Sequence, residues 1–133
     1  MIYLLDTNCC IVYLNGRNLT LKSKLESHQD SDITVCSVVK SELFYGSQKS
    51  KNPEKSLAKQ QLFLNRFYSY PFDDKCAEIF GIIRKKLEEK GTPIGAYDLQ
   101  IGSIALRNNL ILVTHNTKEF SRIEGLIYED WEI

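Results

Sequence analysis

No stretch of this sequence stays apolar for more than a few residues, which excludes a membrane-spanning helix of the usual ~20 residues. The first residues, Met1-Ile2-Tyr3-Leu4-Leu5, run straight into Asp6. They lack the basic start and longer apolar stretch of an export signal, so the chain is expected to stay in the cytoplasm. Cys9, Cys10, Cys36 and Cys76 form no Cys-x-x-Cys pair, and His28 and His115 are the only histidines. A zinc site is therefore not expected, and the thiols should pack as small apolar side chains. Net charge is absent as well, since 17 basic and 17 acidic residues cancel. The balance hides a polarity. Lys40, Lys49, Lys51, Lys55, Lys59 and Arg66 face only Glu42 and Glu54 in their stretch, whereas Glu119, Glu124, Glu129, Asp130 and Glu132 face only Arg122. Such a distribution suits a protein that meets phosphate on one side, and solvated helix faces also produce it.

What is present is enough for one core. The chain has 133 residues, 43% of them apolar, and shows no repeat, linker or low-complexity segment, so residues 1–133 read as a single domain. Ile2–Leu5 reads as a buried strand leading into a helix at Thr7 or Asn8. Residues 19–28 suggest a short helix, and Asp32–Cys36 a second buried strand with Ser37 as cap of a helix to Gln48. Pro53 starts a helix with Leu57, Gln61, Leu64 and Phe67 on one face. After an extended Tyr70–Phe72, Asp73 or Asp74 caps a helix to Glu89 with Ala77, Phe80, Ile83 (or the stem of Arg84) and Leu87 inward, and Gly91 ends it. Ile94–Tyr97 reads as a loop, Asp98 as the opening of a helix to Asn108, Leu110–Val113 as the clearest strand and Leu126–Tyr128 as a weaker one. Short apolar strands alternating with helices predict an α/β fold with a central, mostly parallel sheet.

In such sheets chemistry sits beyond the carboxyl ends of the strands. Asp6 follows the first strand, Glu42 lies one to two turns into the helix after the second, and Asp98 heads the helix feeding the Leu110–Val113 strand. Thr114, Asn116 and Glu119 follow that strand on the same edge. Singly, each has a plain explanation: Asp6 and Asp98 as helix caps, Asn116 as cap of the next short helix, Glu119 as surface. Glu42 is less easily dismissed, because Val38, Val39, Leu43 and Phe44 surround it in the sequence. Two carboxylates ~5 Å apart repel by roughly 3 kcal/mol at an effective dielectric near 20, so three of them call for a cation or raised pKa values. Oxygen ligands without histidine or thiolate favour Mg²⁺ or Mn²⁺, ions that accept phosphate oxygens and activate water.

Four blocks carry a resemblance: Leu4-Leu5-Asp6-Thr7-Asn8; Ser37 to Gly46 with Glu42-Leu43-Phe44-Tyr45-Gly46 at its end; Gly91 to Asp98; and Val113-Thr114-His115-Asn116-Thr117-Lys118-Glu119-Phe120. In this order, and down to the closing Glu129-Asp130-Trp131, they resemble the VapC toxins of the PIN-domain superfamily. The resemblance implies a three-layer α/β/α fold, an endoribonuclease dependent on Mg²⁺ (or Mn²⁺), a VapB-like antitoxin as inhibitor, an RNA substrate for which tRNA is the leading class, and a homodimer. Carried over by position, Asp6, Glu42 and Asp98 match the acidic metal-site residues. Asn116 stands where many relatives place Asp, leaving Glu119 as the nearest carboxylate for a second metal site. Thr7, Asn8 and Thr114 are suited to orient Asp6 or a water. Gly46 and Gly95 are read as allowing close packing or an unusual backbone angle rather than substrate contact, and Tyr97 as either packing or stacking on a base. Two alternatives stand beside the nuclease. One is an acid-based phosphatase of the haloacid-dehalogenase kind, disfavoured by Asn8 where a second Asp is needed. The other is a catalytically weak PIN-like binding module, which Asn116 keeps open.

Overall fold

The computed structural model describes residues 1–133. Five strands form one sheet: β1 (Tyr3–Leu5), β2 (Ile33–Cys36), β3 (Tyr68–Tyr70), β4 (Ile111–Val113) and β5 (Tyr128–Glu129). Their order is β3-β2-β1-β4-β5 and every pairing is parallel, with Tyr3 opposite both Ile33 and Ile111. The helices are α1 (Thr7–Asn15), α2 (Leu19–Glu26), α3 (Ser37–Gln48), α4 (Pro53–Leu64), α5 (Asp74–Glu89), α6 (Ala96–Arg107) and the single turn α7 (Thr117–Phe120). The chain builds β1, β2 and β3 outward in one direction, then crosses back to place β4 and β5 on the other side of β1. Right-handed crossovers put the helices of these two halves on opposite faces, which yields the α/β/α layering. The direction reverses between β1 and β4, and the crevice there, at the carboxyl ends of the strands, is where Asp6 and Thr114 emerge. No helix is long and apolar enough to cross a membrane.

β1, β2 and β4 are buried on both faces, as their apolar sequences require, and the one polar member, Thr34 of β2, donates its hydroxyl to the Tyr3 carbonyl at 2.8 Å. Together with Leu99, Ile101 and Ile104 of α6, Phe120 and Trp131, they belong to one cluster of 30 buried apolar residues. All four cysteines lie free and buried in that cluster, as expected. Gly102 is the one helical glycine that close packing demands. A Cβ there would come within 2.7 Å of Ile123 Cδ1.

Several local expectations shift. Ser37 is the first helical residue rather than a cap, and Cys36 precedes it without a side-chain cap bond. In α4 the inward face is carried by Phe63 and Leu64, while Gln61 points outward and Gln60 reaches back to the Leu43 carbonyl at 3.0 Å. In α5 the inward phase is Cys76, Phe80, Ile83 and Leu87, and Ala77 is exposed. Because α6 begins at Ala96, part of the expected 94–97 loop is helical and Asp98 sits inside the first turn, not at the cap. The last strand lies two residues later than its apolar residues suggest, since β5 is a partly buried edge strand that pairs through Tyr128 and Glu129.

Candidate active site

Asp6 leaves β1 in an extended conformation and caps α1, its Oδ1 accepting from the Cys9 amide at 2.8 Å. Its backbone amide donates to the Val113 carbonyl at 3.1 Å, which ties it to β4. Capping and site membership therefore coincide in this residue. Only 4% of Asp6 is exposed, and burial pushes its carboxyl up to about 6. Hydrogen bonds from the Thr114 hydroxyl and the Cys9 amide hold it down in part, while the charges of Asp98 and Glu132 push it further up.

Glu42 stands on α3, where its Oε1 accepts from the Thr7 hydroxyl at 2.6 Å. Thr7 thus orients Glu42 and not Asp6, and it does so from the first residue of α1. Asp98 is half-buried, and its carboxyl too is pushed up to about 6, first by burial and then by the charges of Glu119 and Glu42. The Asn116 amide donates to Asp98 Oδ2 at 3.5 Å and counteracts the rise. Asn116 occupies the cap position of α7 without making a side-chain cap bond, so its side chain serves Asp98 instead. Its backbone amide donates to the Thr114 hydroxyl at 3.0 Å. Asn8 is exposed on the rim, between two adjoining surface grooves.

The fold therefore sets Asp98 within electrostatic reach of Asp6, Glu42 and Glu119, each on a separate element. None of the ion pairs in the molecule involves any of the four. An uncompensated set of oxygen donors, one of them almost fully buried, fits a hard divalent cation and suits no soft or imidazole-seeking metal.

Sequence reasoning missed one neighbour. Glu132 raises Asp6 and borders the groove that holds Asn8 and Asn116. It belongs to a second group with His115 and Asp130, whose ligand-type atoms lie within 4.8 Å of one another. His115 Nδ1 and Asp130 Oδ2 are 2.9 Å apart, and this bond raises the imidazole pKa. The available signal was the position of this acidic tail just past the last strand, on the sheet edge that already carried Asp6.

Beside Glu42 opens a groove of about 750 Å³ between α1, α3 and the start of α6. Tyr45 and Tyr97 stand in it 64% and 59% exposed, so Tyr97 is not a packing residue. The packing and backbone roles expected of Gly46 and Gly95 do not hold. Neither has positive φ, and a Cβ on either would meet no atom within 4 Å.

The PIN domain family model matches residues 3–126. Ribonuclease VapC2 of Rickettsia felis is 42% identical over 133 residues, 99% of each chain. The tRNA(fMet)-specific endonuclease VapC of Shigella flexneri is 36% identical over 129 residues, 97% of each chain. The structure of DNA-bound VapBC from Salmonella typhimurium superposes with a TM-score of 0.92 at 36% identity, covering 98% of both chains. With acidic residues gathered at the β1–β4 crevice and full-length likeness in both sequence and structure, the chain belongs to the PIN-domain family and, within it, to the VapC ribonucleases.

Proposed function

We propose that this chain is a divalent-metal-dependent endoribonuclease acting on tRNA and held in check by a VapB-like antitoxin. The observation that carries the metal-dependent reading is that Asp6, Glu42, Asp98 and Glu119 take part in no ion pair, although burial and neighbouring acids raise Asp6 and Asp98 to about 6. Asp6, Glu42 and Asp98 hold the metal, with Mg²⁺ first and Mn²⁺ as its substitute, and Glu119 serves a second position. When bound, such an ion supplies Lewis-acid charge against phosphate oxygens and makes water acidic enough to attack near neutral pH.

The chain's own residues set the geometry. The Cys9 amide and Thr114 hydroxyl fix Asp6, the Thr7 hydroxyl fixes Glu42, and the Asn116 amide steers Asp98. Water adds to phosphorus, its proton passes to a site carboxylate, the bond to the 3′ oxygen breaks and that oxygen takes up a proton from solvent, leaving 5′-phosphate and 3′-hydroxyl ends. The tRNA class follows the Shigella relative, and the antitoxin follows the VapBC assembly of the Salmonella relative. A homodimer is expected on the family pattern and is checked by light scattering.

The test is incubation of purified protein with total tRNA in Mg²⁺, in Mn²⁺ and in EDTA, beside an Asp98→Asn control. Discrete fragments that need metal and vanish in the control are expected. Folded protein that cuts neither tRNA nor a wider RNA panel overturns the reading in favour of a binding module, which the Asn116 position keeps in view.

A further inference from the structure

A histidine lies between the residues that hold two of the site acids. Thr114 donates to Asp6, Asn116 donates to Asp98, and His115 stands between them where the chain leaves β4. Its ring lines a cleft with Asn8, Asn116 and Glu132, and Asn8 of α1 borders both this cleft and the groove beside Glu42. The side chain of His115 is 60% exposed, while that of Asp130, its partner at 2.9 Å, is 11% exposed. An exposed ion pair adds little stability by itself. This one has a fixed base. Asp130 Oδ1 accepts from the Glu132 amide at 2.9 Å, and the intervening Trp131 is buried, its indole N–H donating to Glu129 Oε1 at 2.9 Å. Nδ1 of His115 is thus committed to Asp130, and Nε2 has no partner within the chain.

We propose that His115, held by Asp130, is the general acid that protonates the 3′ oxygen leaving the cleaved RNA bond, a step that rests on the ribonuclease reading. As the bond from phosphorus to that oxygen breaks, its electron pair stays on oxygen and takes the proton of Nε2. The neutral imidazole keeps its Nδ1 proton on Asp130, which fixes the tautomer, and regains the other proton from solvent. Solvent therefore remains the source, and His115 delivers the proton where the charge develops. Asp130, Glu132 and Asp6 are the charged groups that act on the ring, and all three favour its protonated form, the bond to Asp130 first. The α1 residues beside it, Asn8, Ile11 and Val12, are uncharged.

The experiment measures single-turnover cleavage in Mn²⁺ of two versions of one RNA spanning the bond that the parent chain cuts. One carries the natural 3′ oxygen at that bond and the other carries sulfur in its place. A thiol ionises near pH ~8.5, so the sulfur leaves as thiolate without an acid. His115→Gln should keep the parental melting temperature and slow cleavage of the natural bond about 10²-fold, yet cut the sulfur bond at the parental rate. The parent's rate on the natural bond needs the imidazolium, so it should fall as pH rises through the imidazole pKa. Asp130→Asn should move that alkaline fall to lower pH, and His115→Gln should lack it.

Equal losses on both bonds would make His115 a structural residue and overturn the inference, as would parental cleavage of the natural bond by His115→Gln. Restoration of the variant by excess Mn²⁺ would assign His115, Asp130 and Glu132 to a cation and overturn it as well. Should His115→Gln fail to fold, or the parent spare the sulfur bond, the pH profiles decide. An alkaline fall that Asp130→Asn leaves in place then overturns the inference. A folded parent that cuts no RNA refutes the ribonuclease reading itself, whereas each outcome above requires an active parent and bears on His115 alone.

Discussion

Two helices of this molecule begin with the same device and put it to different ends. Asp6-Thr7-Asn8-Cys9 opens α1 and Asp73-Asp74-Lys75-Cys76 opens α5. In each, the aspartate Oδ1 accepts from the amide of the cysteine three residues on, at 2.8 Å in α1 and 3.0 Å in α5. At Asp73 the Cys76 amide dominates, and the carboxyl titrates below its usual range. At Asp6 the same bond is outweighed by burial, and the carboxyl rises to about 6. The local motif is shared, so the difference comes from what surrounds it. Asp73 sits at the surface, whereas Asp6 lies in the crevice between β1 and β4 with Asp98 and Glu132 nearby. A cap that costs free energy to ionise is a candidate for a second task, and the task proposed for Asp6 is to bind a cation.

The sharpest way to break this comparison is chemical. Asp6→Asn, which keeps the cap, should lower RNA cleavage by at least about 10²-fold, as loss of a transition-state electrostatic group does, while Asp73→Asn should cleave like the parent. Gel analysis of tRNA fragments reads both, and a parental rate for Asp6→Asn would return Asp6 to a purely capping role.

Stability should move the other way. The folded chain holds the Asp6 proton more tightly than the unfolded chain, so stability contributed by this residue falls as pH rises from about 4 through about 6. In EDTA, Asp6→Asn should therefore be more stable than the parent by about 2 kcal/mol at pH 7, and the gain should vanish below about pH 4. Asp73 has the opposite sign. Its depressed carboxyl adds stability above the unfolded value, which is lost as pH falls through the folded one. Urea titrations at several pH values check both, and added Mg²⁺ should erase the advantage of Asp6→Asn by stabilising the parent alone.

A smaller effect separates the first helical residues. Thr7→Val frees Glu42 from its 2.6 Å bond and should slow cleavage about ten-fold, with Thr7→Ser restoring it. Asp74 makes no such contact with a site carboxylate, and Asp74→Ala should leave the rate unchanged. Smallest of all, Asp73→Ala should lower the melting temperature by about 2–4 °C through loss of the cap alone. Calorimetry checks it, and Asp73→Asn, which keeps an acceptor for the cap bond, should lose less than Asp73→Ala.

Much of the architecture was legible because it depends on short-range pattern. The segments read as strands at 2–5, 32–36 and 110–113 all hold strands, and Gly91 closes α5 with φ of 70°. The misreadings also have physical causes. Cys76 is completely buried, and counting this thiol, already expected to pack as an apolar side chain, in the α5 stripe in place of Ala77 would have set the inward phase correctly. Gln60 of α4 turns inward because the Leu43 carbonyl and Ser47 hydroxyl need partners, and periodicity of apolar residues does not register such a need. Glu132 escaped notice because its approach to Asp6 depends on β5 pairing with β4, a contact between residues far apart in the chain. Gly46 was misread because a glycine that enables packing and one that leaves a groove open look alike in one dimension.

Read as a string, the chain suffices for an α/β fold, for three acids at strand and helix ends, and for a family likeness carried by four ordered blocks. These follow from periodicity, capping chemistry and residue type, all of which act over a few residues. The folded chain alone decides that Asp6 is a buried carboxyl while Asp73 is a solvated one, that Thr7 serves Glu42, and that Asn116 serves Asp98. It alone places Tyr45, Lys49 and Tyr97 around one groove. Desolvation and Coulomb repulsion depend on what lies within a few ångströms in space, and that neighbourhood exists only once β1 and β4 stand side by side.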